Sequence, residues 1–325
     1  MKNITILVPE RSVIQAIADP QYCFSAVNRF LAMSGRKPLF KIELVSFKEE
    51  IKLSEGCYSV HPHKLISDVH RTDLIIIPAL FGDLTKAIEQ NKTFVPWIVE
   101  QYNKGAEIAS LCVGAFLLAS TGLLNGKKCS THWSFTNKFR EMFPDVLVQD
   151  GNIVTEESGI YSSGGANSYW NLLLHLVEKF TDREIAILVS KYFAIDMSRN
   201  SQSSFAIFKG QKEHDDEAVK KAQEYIEENI EEKINVDVLA GKIAVGRRSF
   251  ERRFKRATNN SVLEYIQRVK VEVAKRNFET SRKNINEVMF EVGYTDTKAF
   301  RTAFKKITGL TPVEYRNKYN KMVSG

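Results

Sequence analysis

Four apolar runs punctuate the first third of the chain: ITILV (4–8), KIELVSF (41–47), DLIIIPAL (73–80) and EIASL (107–111). Leu74 to Ile77 is apolar at every position, the pattern of a strand covered on both faces in a parallel sheet. The stretches between the runs are long enough for the helical crossovers that parallel strands need. The pattern predicts a doubly wound α/β domain with a mostly parallel sheet. Further on, Asn152 to Tyr161 reads as a hairpin with Glu156-Glu157-Ser158-Gly159 at its turn. Leu172 to Phe180 reads as a helix, and Thr181-Asp182-Arg183-Glu184 as a capping box opening the next.

Between Asp196 and Asp216 the periodicity fades into DMSRNSQSSFAIFKGQKEHDD, a polar, serine-rich linker. The expected division is therefore an α/β domain over 1–195, a linker over 196–216 and an all-α domain over 217–325. The last of these holds two similar helix-turn-helix patterns, although no tandem repeat of fixed period stands out. In VDVLAGKIAVGRRSFERRFKRAT (236–258), Asn235 caps a helix with Val236, Leu239, Ala240 and Ile243 on its apolar face. After a turn at Ala244-Val245-Gly246, Phe250 and Phe254 anchor a second helix at i, i+4. That spacing turns Arg248, Glu251, Arg252 and Lys255 outward. In INEVMFEVGYTDTKAFRTAFKKITG (285–309), Asn284 and Glu287 form a cap pair, Gly293 sits at the turn and Asp296 caps the next helix. Phe300 and Phe304 repeat the anchor and leave Thr297, Lys298, Arg301 and Lys305 outside. A long helix from about Val262 to Phe278 joins the patterns, and Thr311-Pro312-Val313-Glu314 opens a terminal helix.

Length favours two domains over one core. The net charge of +7 is uneven: residues 242–325 carry 20 Lys/Arg against 8 Asp/Glu, leaving 26 against 31 in residues 1–241. A net +12 on a folded segment points to an anionic partner, most often nucleic acid. One helix-turn-helix is weak evidence. Two in tandem, each with phenylalanines inward and basic residues outward, fit helices entering successive major-groove turns of duplex DNA. The opening MKNITILVPERS has too short an apolar run for a signal peptide, and Leu111 to Leu124 is too short and too interrupted to span a bilayer. Cysteines 23, 57, 112 and 129 form no C-x-x-C pair or zinc spacing. No metal or cofactor is expected, His61, His63 and His70 have no paired spacing, and the expected compartment is the cytoplasm.

RRSFERRFKRAT, VEVAKRNFET and INEVMFEVGYTDTKAFRTAFKKITGLTPVEYR resemble the DNA-binding domain of AraC-type bacterial transcription regulators over about 236–316. The resemblance places Arg248, Glu251 and Arg252 at base-reading positions of the first recognition helix, and Thr297, Lys298 and Thr302 at those of the second. Two positions depart from the family pattern. Gly246 stands where a capping serine is frequent, and Thr302 where arginine is frequent. Either Arg301 takes over that contact or the second half-site is read more weakly.

ASLCVGAFLLASTGLLNGKKCSTHW and NIVTEESGIYSSGGANSYWNLLLHLVE are similar to the PfpI/ThiJ-like domain of the glutamine-amidotransferase-like superfamily, over most of residues 3–195. The similarity implies that Cys112 sits on a nucleophile elbow, a strained strand-to-helix turn, with Val113 and Gly114 forming the turn and His132 near the same pocket. A reactive thiolate needs a lowered pKa. The acidic residue of the enzymatic relatives, in a D-x-x-x-P context, corresponds to Ala16 here, and no histidine follows Cys112 directly. Glu10 is a possible substitute acid. The elbow is thus expected to be kept as a shape: Cys112, Val113 and His132 mark a ligand pocket, or Cys112 is a small buried hydrophobe, with catalysis behind both. Cys23, Cys57 and Cys129 read as structural.

Together these readings predict a transcription regulator, not an enzyme. Its expected partners are duplex DNA, RNA polymerase, a small-molecule effector and a second copy of the chain. The alternative is a Cys-dependent hydrolase or hydratase, using Cys112 and His132, that its helical domain tethers to DNA.

Overall fold

The computed structural model describes residues 1–199, 201–232 and 234–320. The chain separates into two compact units, Met1–Gln202 and Ser203–Gly325, so the division falls inside the polar stretch 196–216. Among the described residues, no helix is long and apolar enough to cross a membrane.

The first unit is built on a seven-stranded sheet in the order Val154–Glu157, Ile160–Ser163, Glu107–Ser110, Leu74–Ile77, Lys2–Leu7, Phe40–Ser46, Lys64–Leu65. Every neighbouring pair is parallel except the first, which is the hairpin. Leu74–Ile77 is buried at all four positions, as its unbroken apolar run requires of a strand with helices on both faces. Helices Gln15–Met33 and Tyr169–Phe180 close over the sheet, the latter burying Leu172, Leu173, Leu174, Leu176 and Val177. This is the expected α/β architecture.

Three local expectations need correction. Glu156 and Glu157 belong to the hairpin's first strand, and the turn is the tighter pair Ser158-Gly159, at φ 54° and 73°. Two successive positive φ values match the twist of a two-residue hairpin loop. Thr181 does not open a capping box: its hydroxyl donates to Val177 O (2.6 Å) at the end of the preceding helix. Asp182 caps helix Arg183–Phe193 instead, accepting from the Ile185 N–H (3.0 Å). Cys57 is exposed beside the small hairpin Ile51–Leu53/Tyr58–Val60, whereas Cys23 and Cys129 are buried.

The second unit is helical. Its two cores are separate, and helix Val262–Thr280 feeds both. Val262, Tyr265, Ile266 and Val269 join Phe250 and Phe254 in one. Val271, Ala274 and Phe278 join Phe300, Phe304 and Tyr315 in the other. A repeat at a spacing of fifty residues becomes visible here. Thr258 and Thr308 each donate a hydroxyl four residues back, to Phe254 O and Phe304 O, both at 2.8 Å. Asn259 and Gly309 each end their helix in the left-handed region. Ser261 with Glu264, and Thr311 with Glu314, each form a capping box for the helix that follows.

Candidate nucleic-acid interface and candidate ligand site

Each half presents one basic helix. Arg247–Thr258 follows helix Val236–Lys242, which Asn235 caps through the Asp237 N–H (2.8 Å). Phe250 and Phe254 are fully buried with ring centroids 5.5 Å apart, and they fix which face of the helix is left outside. Arg248, Arg252 and Lys255 are exposed and Glu251 is half-buried. Arg247 pairs with Asp237 (2.9 Å) and more loosely with Glu251 (3.3 Å), so Glu251 stands within an ion-pair cluster. Arg248 and Arg252 make no ion pair among the described residues, and Lys255 donates to its own helix end at Asn259 O (2.8 Å). Arg253, which the sequence did not single out, turns inward and binds Asp216 with two bonds of 2.8 and 2.6 Å. That contact holds the Asp216 carboxyl below its usual pKa, and it ties the basic helix to helix Glu217–Glu228.

In the other half, helix Ile285–Glu291 carries the Asn284/Glu287 capping box. Asp296 caps Thr297–Thr308 by accepting from the Ala299 N–H (2.6 Å). Phe300 and Phe304 are buried with centroids 5.8 Å apart. Lys298, Arg301, Thr302 and Lys305 are exposed and Thr297 half-buried. Both Arg301 and Thr302 therefore lie open on the surface. The helix carries no acidic residue. A basic helix with long, exposed cationic side chains suits phosphate contacts and base-edge hydrogen bonds alike.

The halves meet at Lys270, in the middle of helix Val262–Thr280. Its ammonium donates to Glu232 O (3.1 Å) before the first motif and to Gly293 O (3.4 Å) in the turn of the second. Burial lowers its pKa. A lysine in a charged helix reads as solvent-facing in sequence, so only the fold reveals this joint.

In the first unit, strand Glu107–Ser110 leads through Leu111 to Cys112, whose φ is +55°. This is the strained strand-to-turn geometry expected of an elbow, where a left-handed conformation is costly for a residue with a Cβ. Gly114 has no alternative: a Cβ there would lie 2.5 Å from Pro78 O and 2.7 Å from Ile77 O. The Cys112 N–H donates to Ser163 Oγ (3.1 Å), and Thr131 Oγ1 donates to Cys112 O (3.2 Å). Cys112 and Val113 are buried.

The loop carrying His132 therefore abuts the elbow, but the imidazole is turned onto its own loop. Its Nδ1 lies 2.7 Å from Ser134 Oγ and accepts from the Ser134 N–H (3.2 Å). No hydrogen bond joins it to Cys112 among the described residues. Burial pushes the Cys112 thiol up to about 12 and lowers the His132 pKa. The thiol is protonated at neutral pH, opposite to what a nucleophile needs. Glu10 pairs with Lys48 (2.5 Å). The carboxylate that does enter the neighbourhood is Asp19. It accepts from Tyr169 OH (2.6 Å) and Trp170 Nε1 (3.1 Å), and burial together with the Asp19 carboxylate raises the Tyr169 hydroxyl pKa. A separate cavity of about 230 Å³ has His175, Glu178, Arg183, Met197 and Arg199 among its lining residues.

Residues 30–179 match the DJ-1/PfpI family and residues 239–318 match the Helix-turn-helix domain family. The HTH-type transcriptional regulator GbdR of Pseudomonas aeruginosa is 25% identical over 286 residues, covering 87% of this chain and 76% of that protein. The HTH-type transcriptional regulator CdhR of the same species is 21% identical over 324 residues, 96% of this chain and 90% of its own. Among solved structures, a putative transcriptional regulator protein from Vibrio parahaemolyticus superposes with a TM-score of 0.53 at 22% identity. It covers 59% of this chain and 98% of its own, and supports the fold. GbdR and CdhR are both named as HTH-type transcriptional regulators.

Proposed function

We propose that this chain, whose residues 30–179 match the DJ-1/PfpI family and 239–318 the helix-turn-helix domain family, is a sequence-specific DNA-binding transcription regulator of AraC type controlled by a small molecule held in its first unit. The observation that carries the reading is the pair of equivalent basic helices, each anchored by two buried phenylalanines and each exposing cations that make no ion pair among the described residues. Arg248 and Arg252 are the base readers of the first helix, and Glu251 sets their surroundings through Arg247. Thr297, Lys298, Arg301 and Thr302 serve the second, while Lys255 and Lys305 hold phosphates.

The elbow of Cys112, Val113 and His132 is a binding shape in this reading and turns over no substrate. Its thiol is buried and protonated, and the nearby acid, Asp19, is occupied by two aromatic donors. The protein works in the cytoplasm as a homodimer that contacts RNA polymerase, two symmetric copies doubling the half-sites read.

The test uses a duplex enriched by the full-length protein from a randomised library, beside a scrambled duplex. Arg248→Ala and Arg252→Ala should each cost about 1–3 kcal/mol on the enriched duplex and far less on the scrambled one. Lys305→Ala should weaken both alike. Equal losses for all three variants on both duplexes would refute the assignment of base readers.

A further inference from the structure

Residues 203–212 open the second unit and contain one short helical turn, Ser203–Phe205, yet they are tied along their length to both halves. At the second half, Ser204 O accepts from Tyr319 OH (3.3 Å), and Lys318 lies 4.7 Å over the Phe205 ring. In the middle, Ala206 O accepts from Lys275 Nζ (2.6 Å), and the Phe208 N–H donates to Glu272 Oε2 (3.1 Å). At the first half, the Phe208 ring stacks edge-on to Tyr265 at 5.2 Å, and Gly210 O accepts from Tyr265 OH (2.9 Å) and Gln223 Nε2 (2.6 Å). Gly210 has φ +79°, and a Cβ there would lie 3.0 Å from both Tyr265 OH and Glu227 Oε1.

Lys275 and Glu272 are themselves an ion pair of 2.7 Å, almost wholly buried in helix Val262–Thr280. A buried ion pair gives little net stability over an apolar replacement. What this one supplies is direction. The cation takes a carbonyl and the anion takes an amide two residues later, so the backbone between them can lie only one way.

We propose that Ser203–Lys212 is a strap holding the two helix-turn-helix halves at one separation, and that Glu272 and Lys275 are the positioning residues that seat it. The inference rests on the DNA-reading function proposed above. Two reading modules at a fixed separation bind a matched pair of half-sites as one intramolecular event, and lose that advantage when the sites are moved apart. With the strap released, helix Val262–Thr280 and the Lys270 joint still connect the halves, but the clamp spanning both cores is gone.

The experiment uses full-length protein, the enriched duplex, versions with one or two base pairs inserted between the halves of its footprint, and a duplex keeping one half only. Two variants release the strap: Glu272→Met/Lys275→Met, which fills the same space without charge, and Phe205→Ala/Phe208→Ala, which leaves every long helix untouched. The expected result for folded variants is about a tenfold loss on the matched duplex, reduced discrimination against the insertions, and unchanged binding to the half-site duplex. Wild-type discrimination in both variants would overturn the strap, as would equal losses on full and half-site duplexes. Failure of the wild-type protein to enrich any duplex would instead overturn the DNA-reading function beneath it.

Discussion

The two helix-turn-helix halves follow one plan but solve its difficult positions differently. The turn needs a left-handed residue: the second half uses Gly293 at φ 68°, the first Ala244 at φ 52°. The reading helix needs an N-cap: the second half uses the Asp296 carboxylate, whereas Gly246 offers no side chain. The helix must also stop, on Gly309 in the second half and on Asn259 in the first. At each position the second half carries the residue of stronger local preference.

The first half instead carries more charge, with six Lys/Arg on Arg247–Thr258 against four on Thr297–Thr308. It compensates through tertiary pairing, with Arg253 on Asp216 and Arg247 on Asp237. One half is held by its own sequence, the other by its neighbours. The lesson is that repeated motifs can share geometry while dividing stability and charge unequally.

The sharpest way to break this comparison is Gly293→Ala. The new Cβ would sit in the left-handed region, 2.4 Å from Glu231 O and 2.6 Å from Lys270 Nζ. Denaturant unfolding should show a loss of about 2 kcal/mol or more. A loss well under 1 kcal/mol, by the same scale, would mean that the turn shifts freely and that the halves do not meet rigidly at Lys270.

Asp296→Ala comes next, with an expected loss of about 1 kcal/mol from the missing cap. Hydrogen exchange should place the loss in the first turn of Thr297–Thr308, and unchanged protection there would remove the cap from the comparison. The smallest effect is a gain. Ala244→Gly relieves a left-handed alanine and should stabilise the first half by about 0.5–1 kcal/mol. A destabilised protein would show that Ala244 earns its conformation through packing.

Much of this was legible in sequence because it is local. Unbroken apolar runs mark parallel strands, and paired phenylalanines at i, i+4 mark both reading helices. Asn235, Asn284, Asp296 and Thr311 announce helix starts within a few residues of the amides they cap. The features that escaped depend on distance. Arg253 looks like any other outward arginine until Asp216, 37 residues away, is brought beside it. Asp19 does not stand out in sequence because its aromatic donors lie 150 and 151 residues downstream. The fifty-residue repeat hides because its matched positions, such as Phe250 with Phe300 and Thr258 with Thr308, are scattered among many that differ, such as Ser261 and Thr311. The strap looked like linker because its hydrogen bonds are made by backbone groups, which polar composition does not reveal.

The central claim is that the exposed cations of two matched helices read duplex DNA. Its most direct test is the affinity of the full-length protein for the enriched and scrambled duplexes across a series of salt concentrations. The account predicts that log K falls linearly with log salt, at about −0.9 per phosphate neutralised, and that the enriched duplex is favoured by about a thousandfold or more. Binding that ignores salt, or that treats the two duplexes alike, would contradict it.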